Sequence, residues 1–300
     1  MLAGTDTPYG ITVLAFAPQT IKVHRGDTIT WQFLSYHNVR FASKPADLVV
    51  IADIDGKQIP EINPVIAFPT LKSGDVYKAE AGSGLPAGPE SLTFSVVMDV
   101  APGTYTYVCD LHPGMVGFIS VVDDATAIPS PADVAKESVS NMDSSVAAAD
   151  KVFWDMIKAS APQAQGDSLP VWAGGATENA AILKFFPDVA QIQVGQSVTW
   201  TVPKGFDTHT INIPLPKDSG IPEPINLMFD SKKAPHGTIS EALNPTLKSG
   251  DALPDNGTAQ SGLLIPGQSF TVKFTKPGLY SYFCVLHPGQ IGTVAVLPPQ

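Results

Sequence analysis

The chain has 300 residues, of which 44% are hydrophobic and 15% charged, and its formal net charge is −10. This composition belongs to a globular protein with room for about two domains of ~150 residues, not to a disordered chain. The acidic balance argues against nucleic acid and anionic membrane surfaces, both of which want basic patches, and no run approaches the ~18 apolar residues of a transmembrane segment.

In chain order, "MLAGTDTPYG" has neither the basic start nor the apolar stretch of a signal peptide. The expectation is a mature exported form behind an added Met1, periplasmic or extracellular. "ITVLAFAPQTIKVHRGDTITW", ending at Trp31, reads as an early strand pair. A strand carrying His37 follows, then a Pro-rich excursion of about 45 to 55 residues, long enough to carry small elements of its own. "SLTFSVVM" leads into "PGTYTYVC", which ends at Cys109, and "GFISVV" closes the unit.

A linker comes next. Ser130 suits an N-cap, Pro131 the first helical position and Asp133 the first turn. Ala135, Val139, Met142, Val146, Ala149, Phe153 and Met156 form an apolar seam at spacings of four and three. The pattern predicts a helix over about 131–159, ~43 Å long if continuous, packed on one of the flanking domains.

The unit then repeats. "AILKFFPDVAQIQVGQSVTW" ends at Trp200, 169 positions after Trp31. "PTLKSGD" occurs at Pro69–Asp75 and, letter for letter, at Pro245–Asp251. "PGLYSYFC" (Pro277–Cys284) answers "PGTYTYVC" (Pro102–Cys109). This is a tandem duplication with short insertions in the loops. Alternating apolar positions between Pro-Gly turns predict an all-β protein: two Greek-key β-sandwiches, over 1–123 and 171–300, joined by a helical linker over 124–170.

The two cysteines decide the chemistry. One disulfide is the bland expectation for an exported protein, but it would join the same position of two separate sandwiches. A free thiol in each core leaves unexplained why a His follows three residues later in both copies. A thiolate, imidazoles and a thioether suit copper in both redox states. Zinc gains little from a thioether. Copper needs one further His, and each copy offers one at a corresponding point. The candidate sets are His37, Cys109, His112 and Met115, and His209, Cys284, His287 and Gln290.

On these motifs both halves resemble the cupredoxins, the type 1 blue copper family. The compact Cys-x-x-His-x-x-Met loop is similar to amicyanin's and, with shorter spacing, to plastocyanin's. Gln290 is similar to the axial Gln of stellacyanin. The resemblance implies two coppers per chain, each held by two imidazoles and a thiolate in a trigonal plane, with Met115 or Gln290 axial. It implies an electron carrier, a lower potential at the Gln290 site, and redox proteins as partners, basic ones suiting the charge. A copper-handling protein without electron-transfer duty is the alternative, and a copper oxidase a more distant one.

Enzyme sites known in the family are missing from the sequence. Its six histidines include no His-x-His pair, Val108 and Phe283 stand where copper nitrite reductases place a His, and each loop has one Cys. No catalytic residue is assigned. His24 and His236 read as polar surface, and Thr210 replaces the Asn38 that follows the first ligand His.

Overall fold

In the computed structural model, residues 1–54, 56–162, 164, 166–205, 207–216, 220–228 and 236–299 are described. The chain forms two compact units. The first comprises Met1–Thr7, Thr12–Ala147 and Ile225–Ile239, and the second Pro8–Ile11, Ala148–Pro224 and Ser240–Gln300. Among the described residues no helix is long and apolar enough to cross a membrane.

In the first unit, Leu2–Asp6 pairs antiparallel with Ile11–Ala17 and parallel with Thr28–Phe33, which pairs antiparallel with Thr93–Val97. The facing sheet sets Thr20–His24 parallel to Val116–Val122 and Gly103–Val108 antiparallel to it. The second unit repeats this order. Ser168–Ala176 lies antiparallel to Ala180–Phe186 and parallel to Ser197–Thr201, which pairs with Ser269–Lys273. Val189–Gln193 runs parallel to Ile291–Leu297, and Gly278–Phe283 antiparallel to it. Each unit is a β-sandwich of mixed pairing, as the alternation implied.

That alternation is visible residue by residue. In Thr28–Phe33 every second side chain is buried, and Val116–Val122 alternates likewise. A one-residue slip would turn Ile29, Trp31 and Phe33 to solvent, so burial fixes the register. Trp31 and Trp200 are the largest fully buried residues of the two cores. Each packs edge-on to a tyrosine two residues before the loop Cys: Trp31 to Tyr107 at 5.1 Å and Trp200 to Tyr282 at 5.0 Å. Truncating either tryptophan to Ala costs about 3–5 kcal/mol.

The identical "PTLKSGD" segments are structural. Ser73 Oγ accepts the Ser95 N–H at 2.9 Å, and Ser249 Oγ accepts the Thr271 N–H at 3.0 Å. Gly74 and Gly250 sit at φ 94° and 98°, a left-handed conformation that glycine adopts freely. The segment is a turn stitched to an edge strand in both copies.

One unbroken helix spans Pro131–Ala159, through its Ser-rich middle. Ser130 Oγ accepts the Asp133 N–H at 3.2 Å, as an N-cap does. The buried face departs from the predicted seam at its start. Val134 and Ser138 are buried, whereas Val139 is 54% exposed. Ser138 can occupy that face because its hydroxyl donates to Ala17 O and Val134 O. From Met142 onward the seam holds. The helix does not pack on one domain only: Val134 joins the first unit's core, and Phe153 stacks edge-on against Phe186 of the second at 5.6 Å.

The excursions carry structure. In the first unit Val49–Ile54 and Lys57–Ile62 form a hairpin, and Pro64–Ala67 a short helix capped by Asn63. A second hairpin, Ile225–Met228 with His236–Ile239, extends this sheet by pairing Thr238 with Glu61. His236 therefore opens a strand and is half-buried, not the polar surface residue expected. His24 ends its strand, with Nε2 2.9 Å from Thr126 O.

Candidate metal centres

Both cysteines are free thiols and fully buried. In the first unit a bridge sets the geometry. Arg40 and Val108 exchange both backbone hydrogen bonds at 2.9 Å, which brings the chain after His37 alongside the end of the strand before Cys109. In the second unit Asn212 pairs with Phe283 to the same effect.

Each loop then closes on itself. The Cys109 N–H donates to Met115 O, and the Met115 N–H to His112 O, both at 3.0 Å. Cys284, Gln290 and His287 repeat these two bonds at the same length. Thus a seven-residue turn presents Cys, His and the fourth residue inward.

The donor atoms converge. In the first centre His37 Nδ1 lies 2.9 Å from His112 Nδ1, and Cys109 Sγ lies 3.7 and 3.6 Å from the two. The donor atoms of His37, Cys109 and His112 all fall within 4.8 Å of one another, as do those of His209, Cys284 and His287. Two imidazole nitrogens facing each other beside a sulfur leave lone pairs directed at one point, which fits a cation. The donor types fit copper.

The fourth positions differ. Met115 is 3% exposed and belongs to the same apolar cluster as Cys109. Gln290 is fully buried, with Oε1 2.9 Å from His209 Nδ1 and 3.3 Å from His287 Nδ1, while its Nε2 donates to Lys184 O at 3.3 Å. The backbone acceptor orients the amide, so its oxygen faces the centre.

Glycines make room for the first imidazoles. Gly4, at φ +68°, has no Cβ, and one placed there would collide with His37 Nε2. At Gly174, φ +90°, a Cβ would come 2.5 Å from His209 Nε2.

The thiols are tied differently. Asn38 bridges to the first loop, its Oδ1 accepting the Asp110 N–H and its Nδ2 donating to Asp110 Oδ2, both at 2.8 Å. Asp110 in turn forms a buried pair with Arg40, Oδ1 to Nη2 at 2.7 Å. In the second unit Thr210 takes over. Its N–H donates to Cys284 Sγ at 3.3 Å, its hydroxyl lies 3.7 Å from that sulfur, and its Oγ1 accepts the Val285 N–H.

Protonation follows these surroundings. Burial pushes the Cys109 thiol up to about 11, against smaller opposing hydrogen bonds. Burial acts on Cys284 in the same direction, but the charge and hydrogen bonds of His287 and His209 outweigh it and hold that thiol well below its ordinary value. His287 is correspondingly raised: burial opposes its charge, and Asp207 and Cys284 overcome that. Asp207 Oδ2 lies 3.3 Å from His287 Nε2, and an acid there stabilises an imidazolium–thiolate pair.

All six His and Cys residues singled out in the sequence meet in two clusters, with Gln290 beside the second. Sequence reasoning passed over Asp207 and the Arg40–Asp110 pair. The visible signal for Asp207 was an acid two residues before His209; nothing in the spacing showed that it reaches His287 instead.

A family model described as copper binding proteins, plastocyanin/azurin family, matches residues 5–122 and 173–297. Plastocyanin of Scenedesmus fuscus is 29% identical over 120 residues, covering 39% of this chain and 91% of that protein. The chloroplastic plastocyanin of Tetradesmus obliquus is 31% identical over 120 residues, 39% of this chain and 61% of that one. Among solved structures, a purple cupredoxin from Nitrosopumilus maritimus is 21% identical with a TM-score of 0.24, covering 43% of this chain and 98% of that chain. A Cu(I) amicyanin variant is 18% identical with a TM-score of 0.26, over 44% of this chain and 83% of the other.

Proposed function

Because the chain belongs to the plastocyanin/azurin family of copper-binding proteins and carries that domain twice, we propose that it is an electron carrier with two type 1 copper centres. The observation that carries this reading is the pair of buried clusters, each with two imidazole Nδ1 atoms and a cysteine sulfur converging. His37, Cys109 and His112 would hold the first copper, with Met115 as the fourth donor, and His209, Cys284 and His287 would hold the second, with Gln290 as the fourth donor. The copper-binding repeats run over 1–123 and 171–300, with 124–170 as linker.

Copper bound there supplies one-electron exchange between Cu(I) and Cu(II). The chain's own contribution is a fixed geometry. The Arg40–Val108 bridge and the closed loop pin His37 against Cys109 and His112 from two sides, so little moves when the charge changes. The amide oxygen of Gln290 is a harder donor than the Met115 thioether. It favours Cu(II) and gives the second centre the lower potential. An exported or periplasmic location and partners with basic faces go with this reading, given the net charge of −10.

The test is the visible spectrum with copper stoichiometry. Two coppers per chain and an intense band bleached by ascorbate are expected, with half the band lost in Cys109→Ser and half in Cys284→Ser. Colourless, tight Cu(I) binding would replace the carrier with a copper-handling protein. Potentials of the two single variants in the reverse order would refute the axial assignment.

A further inference from the structure

The second centre places a carboxylate against its loop imidazole. Asp207 Oδ2 lies 3.3 Å from His287 Nε2, and the two side chains are only 11% and 12% exposed. Asp207 Oδ1 accepts the Thr208 N–H at 2.9 Å, which fixes the carboxylate's direction. The other nitrogen of the same ring, His287 Nδ1, faces Cys284 Sγ at 3.4 Å and Gln290 Oε1 at 3.3 Å. The imidazole is therefore flanked at both ends: Nδ1 faces the cysteine sulfur and the glutamine oxygen, and Nε2 lies at ion-pair distance from a carboxylate. In the first copy the matching position, two residues before His37, is Ser35, which has no charge.

We propose that Asp207 is a positioning residue of the second centre, which locks His287 through its outer nitrogen and biases that centre toward Cu(II). The proposal rests on the reading that His287 ligates copper. A carboxylate accepting from a metal-bound imidazole fixes the ring's tautomer and makes its inner nitrogen a stronger donor. In a site shielded from water, the negative charge also stabilises the more highly charged metal state. Both effects act in the same direction as Gln290, so the two centres are separated in potential by two devices, not one. The outer edge of His287 is at the same time engaged by the chain itself.

The experiment uses the full chain in a Cys109→Ser background, where only the second centre absorbs. Asp207, Asp207→Asn, Asp207→Ser and Asp207→Glu are compared at one pH by spectroelectrochemical titration, with copper content measured in each. Asparagine keeps an oxygen for the Thr208 N–H and removes the charge. The expected result is a retained band and an upward shift in potential for Asn and Ser. The preference for Cu(II) over Cu(I) falls about tenfold, equivalent to about 59 mV for one electron, and Glu restores it. Loss of copper from Asn and Ser but not from Glu would support the same role. A full band with unchanged potential in both Asn and Ser overturns the assignment of Asp207 and leaves the carrier reading standing. No band with Asp207 in place overturns the carrier reading at this centre, and the inference with it.

Discussion

Replacing Asp110 by Ala removes the anchor beneath the first centre. The Asp110 side chain is fully buried and takes hydrogen bonds from Arg40 Nε and Nη2, from the Ala46 N–H at 2.7 Å and from Asn38 Nδ2 at 2.8 Å. Without it the Arg40 guanidinium, 5% exposed, keeps, among the described residues, Glu80 at the surface and the Lys44 carbonyl. Deleting one partner of a buried pair costs about 3–5 kcal/mol. At about 1.4 kcal/mol per tenfold, a loss of about 4 kcal/mol lowers the protection of core amides about a thousandfold. Hydrogen exchange of the metal-free protein reads this in peptides covering Thr28–Phe33 and Gly103–Val108. The second unit is an internal control, since Asn212 and Val285 hold the matching positions and are neutral. Because the cost is a stranded charge, Arg40→Met/Asp110→Leu is expected to keep protection within tenfold of the parent. A double variant as weak as Asp110→Ala, or a single variant losing less than tenfold, would refute the reasoning.

Three further outcomes follow from the geometry. Gly4→Ala drives a Cβ into His37 and strains a left-handed backbone, so copper affinity at the first centre falls at least about tenfold while the second is spared, and Gly174→Ala does the reverse; equal binding at both centres in either variant contradicts the close approach. Burial raises Cys109 from 9.0 to about 11, so the folded metal-free protein keeps a proton that the unfolded chain releases. Stability of the first unit is full below pH 9 and declines by about 2–3 kcal/mol as pH rises to about 11, and denaturant titrations that are flat across that window would count against it. Gln290→Met replaces an amide oxygen by a thioether and is expected to raise the second centre's potential toward the first's; an unchanged value would show that the amide does not tune that centre.

Much of this was legible because burial imposes periodicity. Trp31, Trp200 and their alternating neighbours gave away the sandwiches, and the duplication paired each element with a second instance. The candidate donors were readable because three of each set share one tight loop, and because a thiol and an imidazole at that spacing, in the first copy beside a thioether, have few uses. Where the sequence misled, a polar group was satisfied locally. Ser138 sits in the helix's buried face because two carbonyls accept its hydroxyl, which no hydrophobic count registers. Asp207 was invisible for a related reason: its meaning lies in a contact across 80 residues to His287. The Arg40–Asp110 pair is separated by 70 residues and needed the Arg40–Val108 bridge to be known first.

The hairpin of Ile225–Met228 and His236–Ile239 bears on how this chain can be divided. It comes from the second repeat in sequence, yet it completes the first unit, where Ile225 and Leu227 pack on Ile62, Ile66 and Phe68. In exchange, Pro8–Ile11 from the first repeat counts with the second unit. A gene cut at the linker would separate the repeats without separating the units. The fragment before the cut would end with Ile62 and Phe68 stripped of their cover, an adhesive apolar face in place of a finished domain. Repeat and folding unit, the one a matter of descent and the other of contact, do not share a boundary in this chain.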